Sequence, residues 1–390
     1  MVISEIKYWP NRVISGVRAI KKLPKLMESL HLRRATVICG KTVFEGEIFK
    51  IVKETLGAKL VGVFNESAAQ TPISTIKNGL DVVKANNSDV LISVGGGSTI
   101  DTAKGISILK ASAGDLIAYA IPRGGRGIME KRSLPGETIT HIAIPTTAGS
   151  ASEVMPTAGI RDPETKEKLL FWDPKIVPTA AILDPELAIY AGPTLTASTG
   201  MTAMARCVEA VYSAQRNSIS NGLAIHAMRL LYKSLSLSVV EPENVQARGD
   251  CQQAALMSGV AAINAMVSFI HAFGHVAGGL YGLQHGLVHT ILLPPAMQLL
   301  LPSVGKDQKF LLEALGIDND LSEFNGSKLA SDLMFELIES LPLPKNLCEL
   351  GIEQNKLSEL AANTMEDYMM FYSPRPIKKS EIIAILESVW

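Results

Sequence analysis

Four of the seven histidines in the chain are concentrated within residues 268–289. His271 and His275 are four residues apart, as are His285 and His289, so each pair would share one face of a helix. Imidazoles are common ligands of Zn²⁺ and Fe²⁺, and they also exchange protons near neutral pH. The cluster therefore indicates a metal centre or a metal-free active site, and the structural alternative is a set of hydrogen-bonded histidines in a helical core.

A second candidate for chemistry is the segment DVLISVGGGSTIDTAK, in which an apolar strand runs into three glycines. Gly95, Gly96 and Gly97 would let a ligand approach the backbone, and we expect Ser98 to cap a helix that begins near Thr99. Free N–H groups at a helix N-terminus attract phosphate, so the turn is a candidate pyrophosphate site. It is not the GxGxxG fingerprint, and a purely structural turn is the alternative.

Two hydroxyl groups favour the ligand-binding interpretation of the glycine turn. Thr146 and Thr147 directly follow the apolar run THIAIP, which we expect to form another strand. Open α/β sheets bind ligands outside the carboxyl ends of their strands. We therefore expect both threonines to line the same site as the glycines.

The first half of the chain alternates β-rich runs with amphipathic helical stretches, which predicts parallel βαβ units with right-handed crossovers. The expected strands are 35–40, 59–65, 89–97 and 140–147, followed by GIRD (159–162) and TAAILDP (179–185) as the last strands of the sheet. Residues 124–138 are expected to form a surface loop. Residues 1–190 are thus predicted to be a Rossmann-like α/β domain that binds a dinucleotide.

The second half changes to long Ala- and Leu-rich periodic stretches, which predict helices. These stretches are 197–214, 218–238, 246–266, 268–281, 286–301, 309–315, 327–341, 355–371 and 379–390. Residues 191–390 are thus expected to form an all-helical domain, with the boundary within 185–195 and the active site in the cleft between the two domains.

Composition narrows the classes of partner. The chain has 37 basic and 38 acidic side chains and a net charge of −1, so no strong field attracts nucleic acid or an anionic membrane. No run of 18 uninterrupted apolar residues occurs, and the start of the chain lacks the apolar core of a signal peptide. The four cysteines lie far apart and form no CxxC motif, so we expect them to be reduced thiols in the core. We expect a cytoplasmic protein with a small-molecule partner.

Taken together, these motifs resemble the iron-containing alcohol dehydrogenase superfamily, from about residue 8 to the C-terminus. The resemblance is carried by GGGSTIDTAKGI, PTTAGSASEV, AAILDPEL, GMTAMARCVEAVYS, HAFGHVAGGLYGLQHGLVH and SPRP. It implies the dehydroquinate synthase-like fold of that superfamily, a homodimer and a nicotinamide cofactor. It also implies that Gly95 to Ser98 hold the pyrophosphate, that Thr146 and Thr147 line the cofactor site, and that Lys168 reaches toward phosphate or substrate.

The sequence differs from this superfamily at two of the positions that bind the metal. Metal-dependent members have an Asp and a His in a GMDxxxH segment, then two histidines fourteen residues apart. His271 and His285 match the latter pair, but Thr202 and Arg206 stand at the former positions. A cation pair about 4 Å apart repels by roughly 4 kcal/mol at an effective dielectric near 20, and a dication doubles this. We expect no tightly bound catalytic metal, although His275 and His289 could in principle replace the missing ligands.

Within the superfamily, the chain is most similar to maleylacetate reductases, which have the pattern HxxxHxxGGxxGLxH followed by a further His. The expected function is a metal-independent, NAD(P)H-dependent reduction of an oxo-acid or other activated carbonyl or enone, with a substrate that could carry a carboxylate. Three alternatives stay open: a metal-dependent alcohol dehydrogenase with rearranged ligands, a lyase or cyclase that uses bound nicotinamide transiently, and a non-catalytic nucleotide-binding protein.

Four side chains are the candidates for catalysis. Arg206 could stabilise negative charge on the substrate or anchor its carboxylate, and a salt bridge with Glu209 or Glu153 is its structural alternative. His275 is the candidate general acid, with a buried hydrogen-bonded residue as the alternative. His271 and His285 are expected to shape and polarise the pocket.

Cofactor choice depends on the residue after the first strand. The superfamily often has an Asp there that binds the ribose 2′-hydroxyl and repels a 2′-phosphate, whereas this chain has Gly40 followed by Lys41. NADPH should therefore be accepted as well as NADH. The alternative is that Gly40 is only a turn residue and that it does not affect the choice.

Overall fold

The structure, a computed structural model, describes residues 12–122, 132–165, 167–317 and 323–390, with side chains from residue 326 in the last range. The predicted surface loop 124–138 lies largely outside these residues. Six strands form one parallel sheet: β1 (Arg12–Ser15), β2 (Ala35–Ile38), β3 (Leu60–Phe64), β4 (Val90–Gly95), β5 (Thr140–Pro145) and β8 (Ala180–Leu183). The remaining two strands, β6 (Thr157–Asp162) and β7 (Glu167–Trp172), form an antiparallel hairpin.

Helices alternate with the strands in the first half and follow one another in the second. The first group is α1 (Leu23–Ser29), α2 (Lys41–Glu45), α3 (Glu47–Leu56), α4 (Ile73–Ala85), α5 (Gly97–Ala111) and α6 (Pro185–Ala188). The second group is α7 (Pro193–Tyr212), α8 (Ser218–Val240), α9 (Val245–Ala265), α10 (Phe269–Tyr281), α11 (His285–Leu300), α12 (Lys309–Ala314), α13 (Glu323–Glu339), α14 (Leu357–Met365) and α15 (Lys379–Ser388). The predicted fold class is confirmed, while the domain boundary at residue 190 stays a prediction.

The sheet has the order β1-β8-β5-β4-β2-β3 and therefore contains a topological switch point. From β2 the chain moves outward to β3 and then returns to form β4 on the other side of β2. Strands β2 and β4 are fully buried, which explains why they are rich in Val, Ile and Leu and contain no charged residue. The crevice at the carboxyl ends of β2 and β4 is where such sheets bind ligands.

One predicted strand was assigned to the wrong sheet. GIRD belongs to β6, which pairs with β7 in register Arg161↔Lys168 and is not part of the parallel sheet. Burial alternates along Thr157–Ile160, as expected for a strand with one face on the protein and one face open. The alternation is short, and the sequence pattern predicted neither β7 as its partner nor β1 as an edge strand. TAAILDP was assigned correctly, because β8 lies inside the sheet between β1 and β5.

The helical half encloses a large apolar core in which α7 is buried along most of its length. By length and composition alone, Ser218–Val240 and His285–Ala314 could cross a membrane, and the bent pair α9 and α10 could form a third span. Of the apolar windows in the first two, 44% and 67% are buried inside the protein. Packing of α8 against α7 and α9, and of α11 against α7 and α13, accounts for much of this apolar composition.

Three of the four cysteines are core thiols, as the sequence predicted. Cys39, Cys207 and Cys251 are buried, and burial raises the pKa of the Cys207 thiol to about 12, so it is inert. The prediction was wrong for Cys348, which is exposed. No described cysteine is part of a disulfide.

The close approach of α11 to α7 predicts a specific stability effect. A Cβ atom at Gly286 would lie 1.8 Å from the Ser198 carbonyl oxygen, so Gly286→Ala forces the helices apart and should lower the free energy of unfolding by roughly 1–3 kcal/mol. Gly222 in α8 has open space around it, so Gly222→Ala should be neutral or stabilising by up to about 1 kcal/mol. Urea denaturation of both variants checks this, and equal stability would contradict the packing.

Candidate active site

The glycine turn lies at the switch point and leads directly into α5. The helix begins at Gly97, with Gly96 at the N-cap, so the prediction that Ser98 caps the helix was wrong. Gly95 adopts φ +153° and Gly96 is extended, which lets the helix start two residues early. Ser98 lies in the first turn, where its carbonyl oxygen accepts hydrogen bonds from the hydroxyls of Thr71 and Thr102 at 3.1 and 2.8 Å.

Steric crowding explains the glycines in this turn. A Cβ atom at Gly95 would lie 2.6 Å from Thr99 Oγ1, and one at Gly97 would lie 2.6 Å from Ser150 Cβ. Both close contacts leave room only for backbone. The N–H groups at the start of α5 are therefore presented to the crevice on a surface without side chains, as pyrophosphate binding requires.

The two threonines lie beside the turn. Gly95 is in register with Pro145, and the Thr146 N–H donates to the Gly95 carbonyl oxygen at 3.0 Å. The Thr147 hydroxyl lies against Gly96. These contacts place the carboxyl ends of β4 and β5 at the same height, on one wall of the crevice.

A cavity of about 680 Å³ runs from this crevice to the histidines. All twelve predicted site residues line it: Gly40, Gly95, Gly96, Gly97, Ser98, Thr146, Thr147, Lys168, Arg206, His271, His275 and His285. Its walls come from both the sheet half and the helical half of the chain. The structure therefore brings the separate sequence motifs to one place.

The four histidines form one cluster on α10 and α11. Ring centroids are 4.3 Å apart for His271 and His289, 5.4 Å for His285 and His289, and 5.6 Å for His275 and His285. His289 is fully buried beneath the cavity wall, and neither of its ring nitrogens has a hydrogen-bond partner. The Nε2 atom of His271 is also unpartnered. The cluster is therefore not a saturated network of core histidines.

Glu209 on α7 orients His271 from behind. One carboxylate oxygen contacts His271 Nδ1, and the other accepts the backbone N–H of Ile270 at 2.8 Å and that of Ser268 at 3.2 Å. Burial raises the pKa of Glu209 to about 7. Glu209 thus caps the N-terminus of α10 and fixes the ring of His271, a residue that lines the cavity. From the sequence, Glu209 was a candidate only for a salt bridge with Arg206.

Arg206 connects α7 to the turn that follows the two threonines. Its Nη1 donates to the Gly149 carbonyl oxygen at 2.8 Å and to Ser258 Oγ at 2.9 Å, and Nη2 donates to the Ser150 carbonyl oxygen at 3.0 Å. Only 5% of the residue is exposed, so it is not part of a surface salt bridge. Three of its five N–H donors form hydrogen bonds within the protein. The charge of Arg206 therefore acts on the histidines from a fixed position.

Lys168 on β7 reaches the histidine cluster. Its Nζ lies 3.4 Å from His285 Nε2, at the histidine end of the cavity. Burial within the cleft lowers the pKa of Lys168 to about 8, and the nearby Asp101 carboxylate opposes this shift. Asp101 itself accepts hydrogen bonds from Ser152 Oγ and from the Gly159 N–H. Lys168 is therefore mostly protonated at neutral pH and can form an ion pair with an anion.

The imidazoles next to these cations are neutral. Burial lowers the pKa values of His271, His285 and His289 well below the usual range. Arg206 adds to this for His271 and His289, and Lys168 adds to it for His285. The cluster therefore combines neutral rings with fixed positive charge.

This donor set does not fit an Fe²⁺ or Zn²⁺ ion. Within the described ranges, no group of three or more His, Cys, Asp or Glu side chains has an arrangement that could hold a metal. The Thr202 hydroxyl is already bonded to the Ser198 carbonyl oxygen at 3.1 Å, and Glu209 lies behind His271. Two imidazoles beside a guanidinium lack the charge compensation that these metals require. The glycine turn, by contrast, fits a dinucleotide.

A second carboxylate lies behind His275. Its Nδ1 is 2.8 Å from Asp367 Oδ2, and each side chain is 10% exposed. Asp367 precedes the short 3₁₀ helix Tyr368–Tyr372, whose first residues Tyr368 and Met369 line the cavity. The sequence contained no signal for this contact, because the two residues are 92 positions apart.

A glycine turn at the switch point of a parallel sheet, opening toward a histidine cluster, is the arrangement of a dinucleotide-dependent enzyme. The family model of iron-containing alcohol dehydrogenases matches residues 10–185, and that of the C-terminal region of this family matches residues 196–390. The chain therefore belongs to the iron-containing alcohol dehydrogenase family. It is an NAD-dependent oxidoreductase.

Similar proteins include alcohol dehydrogenases and a reductase. The 1,3-propanediol dehydrogenase of Citrobacter freundii is 30% identical over 98% of this chain and 97% of its own length, and the NAD-dependent methanol dehydrogenase of Bacillus methanolicus is 30% identical over 97% and 98%. A crystal structure of 1,3-propanediol oxidoreductase superposes with a TM-score of 0.93 at 28% identity, covering all of both chains. Maleylacetate reductase from Agrobacterium tumefaciens, at 24% identity and a TM-score of 0.83 over 100% and 99% of the two chains, shares the fold.

The position of Gly40 predicts how cofactor choice can be changed. Gly40 caps α2 with φ −94°, lines the cavity and directly follows buried Cys39 after β2. Gly40→Asp should weaken NADPH binding by at least about tenfold while NADH binding changes little, because a carboxylate repels the 2′-phosphate.

Gly40→Ala is the matched control for this variant. Its Cβ would lie 3.1 Å from the Ser67 carbonyl oxygen, so it adds bulk without charge. Fluorescence titration with both cofactors measures the effect. Equal losses for NADH and NADPH in the Asp variant would contradict the assignment of Gly40 to the ribose end.

Proposed function

We propose that this protein reduces an activated carbonyl compound that carries an anionic group, such as an oxo-acid, with NADH or NADPH and without a catalytic metal. The observation that carries the proposal is that the Lys168 ammonium lies 3.4 Å from His285 Nε2, in the cavity that the buried Arg206 guanidinium also lines. Fixed positive charge at the catalytic end of the cavity favours an anionic substrate and opposes a metal dication.

In the proposed reaction, the reduced nicotinamide supplies a hydride to the carbonyl carbon. The N–H groups at the start of α5 and the hydroxyls of Thr146 and Thr147 hold the cofactor along the crevice. Negative charge on the substrate oxygen is stabilised by the Lys168 ammonium and by the field of Arg206, at positions that require no reorganisation during the reaction. His275 Nε2 delivers the proton that completes the alcohol.

The second candidate is a metal-dependent alcohol dehydrogenase that acts on a small uncharged alcohol or aldehyde. It is favoured by the printed names of the relatives at 30% identity, a propanediol dehydrogenase and a methanol dehydrogenase. The likeness to maleylacetate reductase, at 24%, concerns the fold alone.

The proposal also includes four predictions about the whole protein. They are a division into domains at residues 190 and 191, a homodimer, a cytoplasmic location and the absence of nucleic-acid or membrane partners.

A substrate panel assayed with and without chelation distinguishes the two candidates. Oxidation of NADH and NADPH is followed with oxo-acids and with uncharged aldehydes, before and after dialysis against EDTA. We expect stoichiometric turnover with at least one oxo-acid, unchanged by EDTA, and much weaker turnover with aldehydes of the same length. Loss of activity with EDTA and its recovery with Zn²⁺ or Fe²⁺ would support the metal-dependent candidate instead.

The pKa of Lys168 predicts a pH dependence of substrate binding. Because burial lowers this pKa to about 8, the ammonium is present below that pH and is lost as the pH rises through it. KM for an anionic substrate should be constant below pH 8 and should rise by up to about tenfold per pH unit above it. Steady-state kinetics from pH 6 to 10 measure this.

An uncharged aldehyde and the Lys168→Met variant are the controls for this pH profile. The aldehyde should show a much smaller rise of KM, because before hydride transfer it has no anionic group to pair with the ammonium. The variant should have a raised KM for the anion at every pH. A wild-type KM that stays flat to pH 10 would show that Lys168 does not bind the substrate anion.

A further inference from the structure

We propose that Asp367 is a positioning residue that fixes the ring of His275 so that its Nε2 atom faces the substrate. The proposal rests on the function proposed above and assigns a role to a C-terminal residue that no motif in the sequence identifies. The juxtaposition that carries it is the 2.8 Å contact between Asp367 Oδ2 and His275 Nδ1.

The carboxylate of Asp367 is itself held in place. Its Oδ1 atom accepts the Met369 N–H at 2.9 Å, which caps the 3₁₀ helix Tyr368–Tyr372, while Oδ2 is left for His275. The Asp367 N–H donates to the Thr364 carbonyl oxygen at 3.1 Å, at the end of α14. With backbone and side chain both fixed, the carboxylate limits His275 to one ring orientation.

This orientation decides which nitrogen can act. Because Nδ1–H donates to Asp367, Nε2 is the nitrogen that remains for the cavity, which His275 lines. In the reductive direction, the nicotinamide hydride bonds to the carbonyl carbon, and the Nε2 proton of the imidazolium moves to the resulting alkoxide oxygen. The products are oxidised nicotinamide, the alcohol and a neutral imidazole whose Nδ1 keeps its proton, hydrogen-bonded to Asp367, and solvent restores the Nε2 proton.

The other histidine–carboxylate pair is less suited to this task. Glu209 already accepts hydrogen bonds from the backbone N–H groups of Ser268 and Ile270, which cap α10, and from the Tyr212 hydroxyl. His271 also lies beside the Arg206 cation, which opposes an imidazolium there. His275 has a carboxylate partner with one other hydrogen bond, so one oxygen of that carboxylate is free to orient the ring.

Asp367→Asn keeps the shape of the side chain and removes the charge. We expect kcat for the carbonyl substrate to fall at least about tenfold, while KM for the same substrate stays within about twofold, because Asp367 does not touch the substrate. In a His275→Gln background, Asp367→Asn should cause no further loss, since the carboxylate acts through the ring. Asp367→Glu, which retains the carboxylate, should recover part of kcat. Glu366→Gln, an exposed neighbour, is the control and should match the wild type.

A measurement that needs no turnover distinguishes failure of this proposal from failure of the proposed function. Histidine ring ¹⁵N spectra of the wild type, with His275 assigned by its loss in His275→Gln, should show His275 protonated at Nδ1 in the neutral form. In Asp367→Asn this tautomer preference should weaken. A wild-type His275 protonated at Nε2, or additive losses of kcat in the double variant, would overturn the role of Asp367. If no carbonyl compound is reduced, the proposed function fails, and the spectra still decide the tautomer.

Discussion

Positive charge deep in the cleft, which the protein compensates with its own groups, is the constraint on which the site depends. The Arg206 guanidinium is buried, and an unpaired charge in such a place would be strongly destabilising. The carbonyl oxygens of Gly149 and Ser150 and the Ser258 hydroxyl compensate it, and in doing so they connect α7 to the turn beside the cofactor crevice. The charge that acts on His271 and His289 and the contact between the two halves of the chain therefore depend on the same side chain.

Around this charge, the carboxylates lie behind the histidines rather than in the cavity between them. Glu209 caps α10 and contacts Nδ1 of His271, and Asp367 contacts Nδ1 of His275. Both contacts leave Nε2 of the ring without a carboxylate partner. The Arg206 guanidinium and the Lys168 ammonium both act on His271 and lower its pKa further than burial alone.

The fold and the cofactor crevice were largely predictable because local sequence dictates them. Buried parallel strands require apolar runs, and the glycine turn requires residues without Cβ, as the crowding at Gly95 shows. The wrong predictions depended on strand pairing and backbone conformation, which residue types alone do not show. The strand in GIRD belongs to a hairpin because β7 pairs with it, and the helix after the turn starts at Gly97 because of the backbone of Gly95 and Gly96.

The histidine end of the cavity was only partly predictable, because its contacts join residues that are far apart in the sequence. The histidine spacing located the cluster, but the partners of Arg206 lie 52 to 57 residues away, and Asp367 lies 92 residues from His275. The central claim, that positive charge takes the place of a metal here, is tested most directly by anaerobic calorimetric titration of the protein with Fe²⁺ and Zn²⁺. We expect that neither ion binds stoichiometrically at the histidine cluster, so that the titrations of the wild type and of His285→Ala show no difference in stoichiometric binding. One tightly bound equivalent, lost in that variant, would contradict the claim.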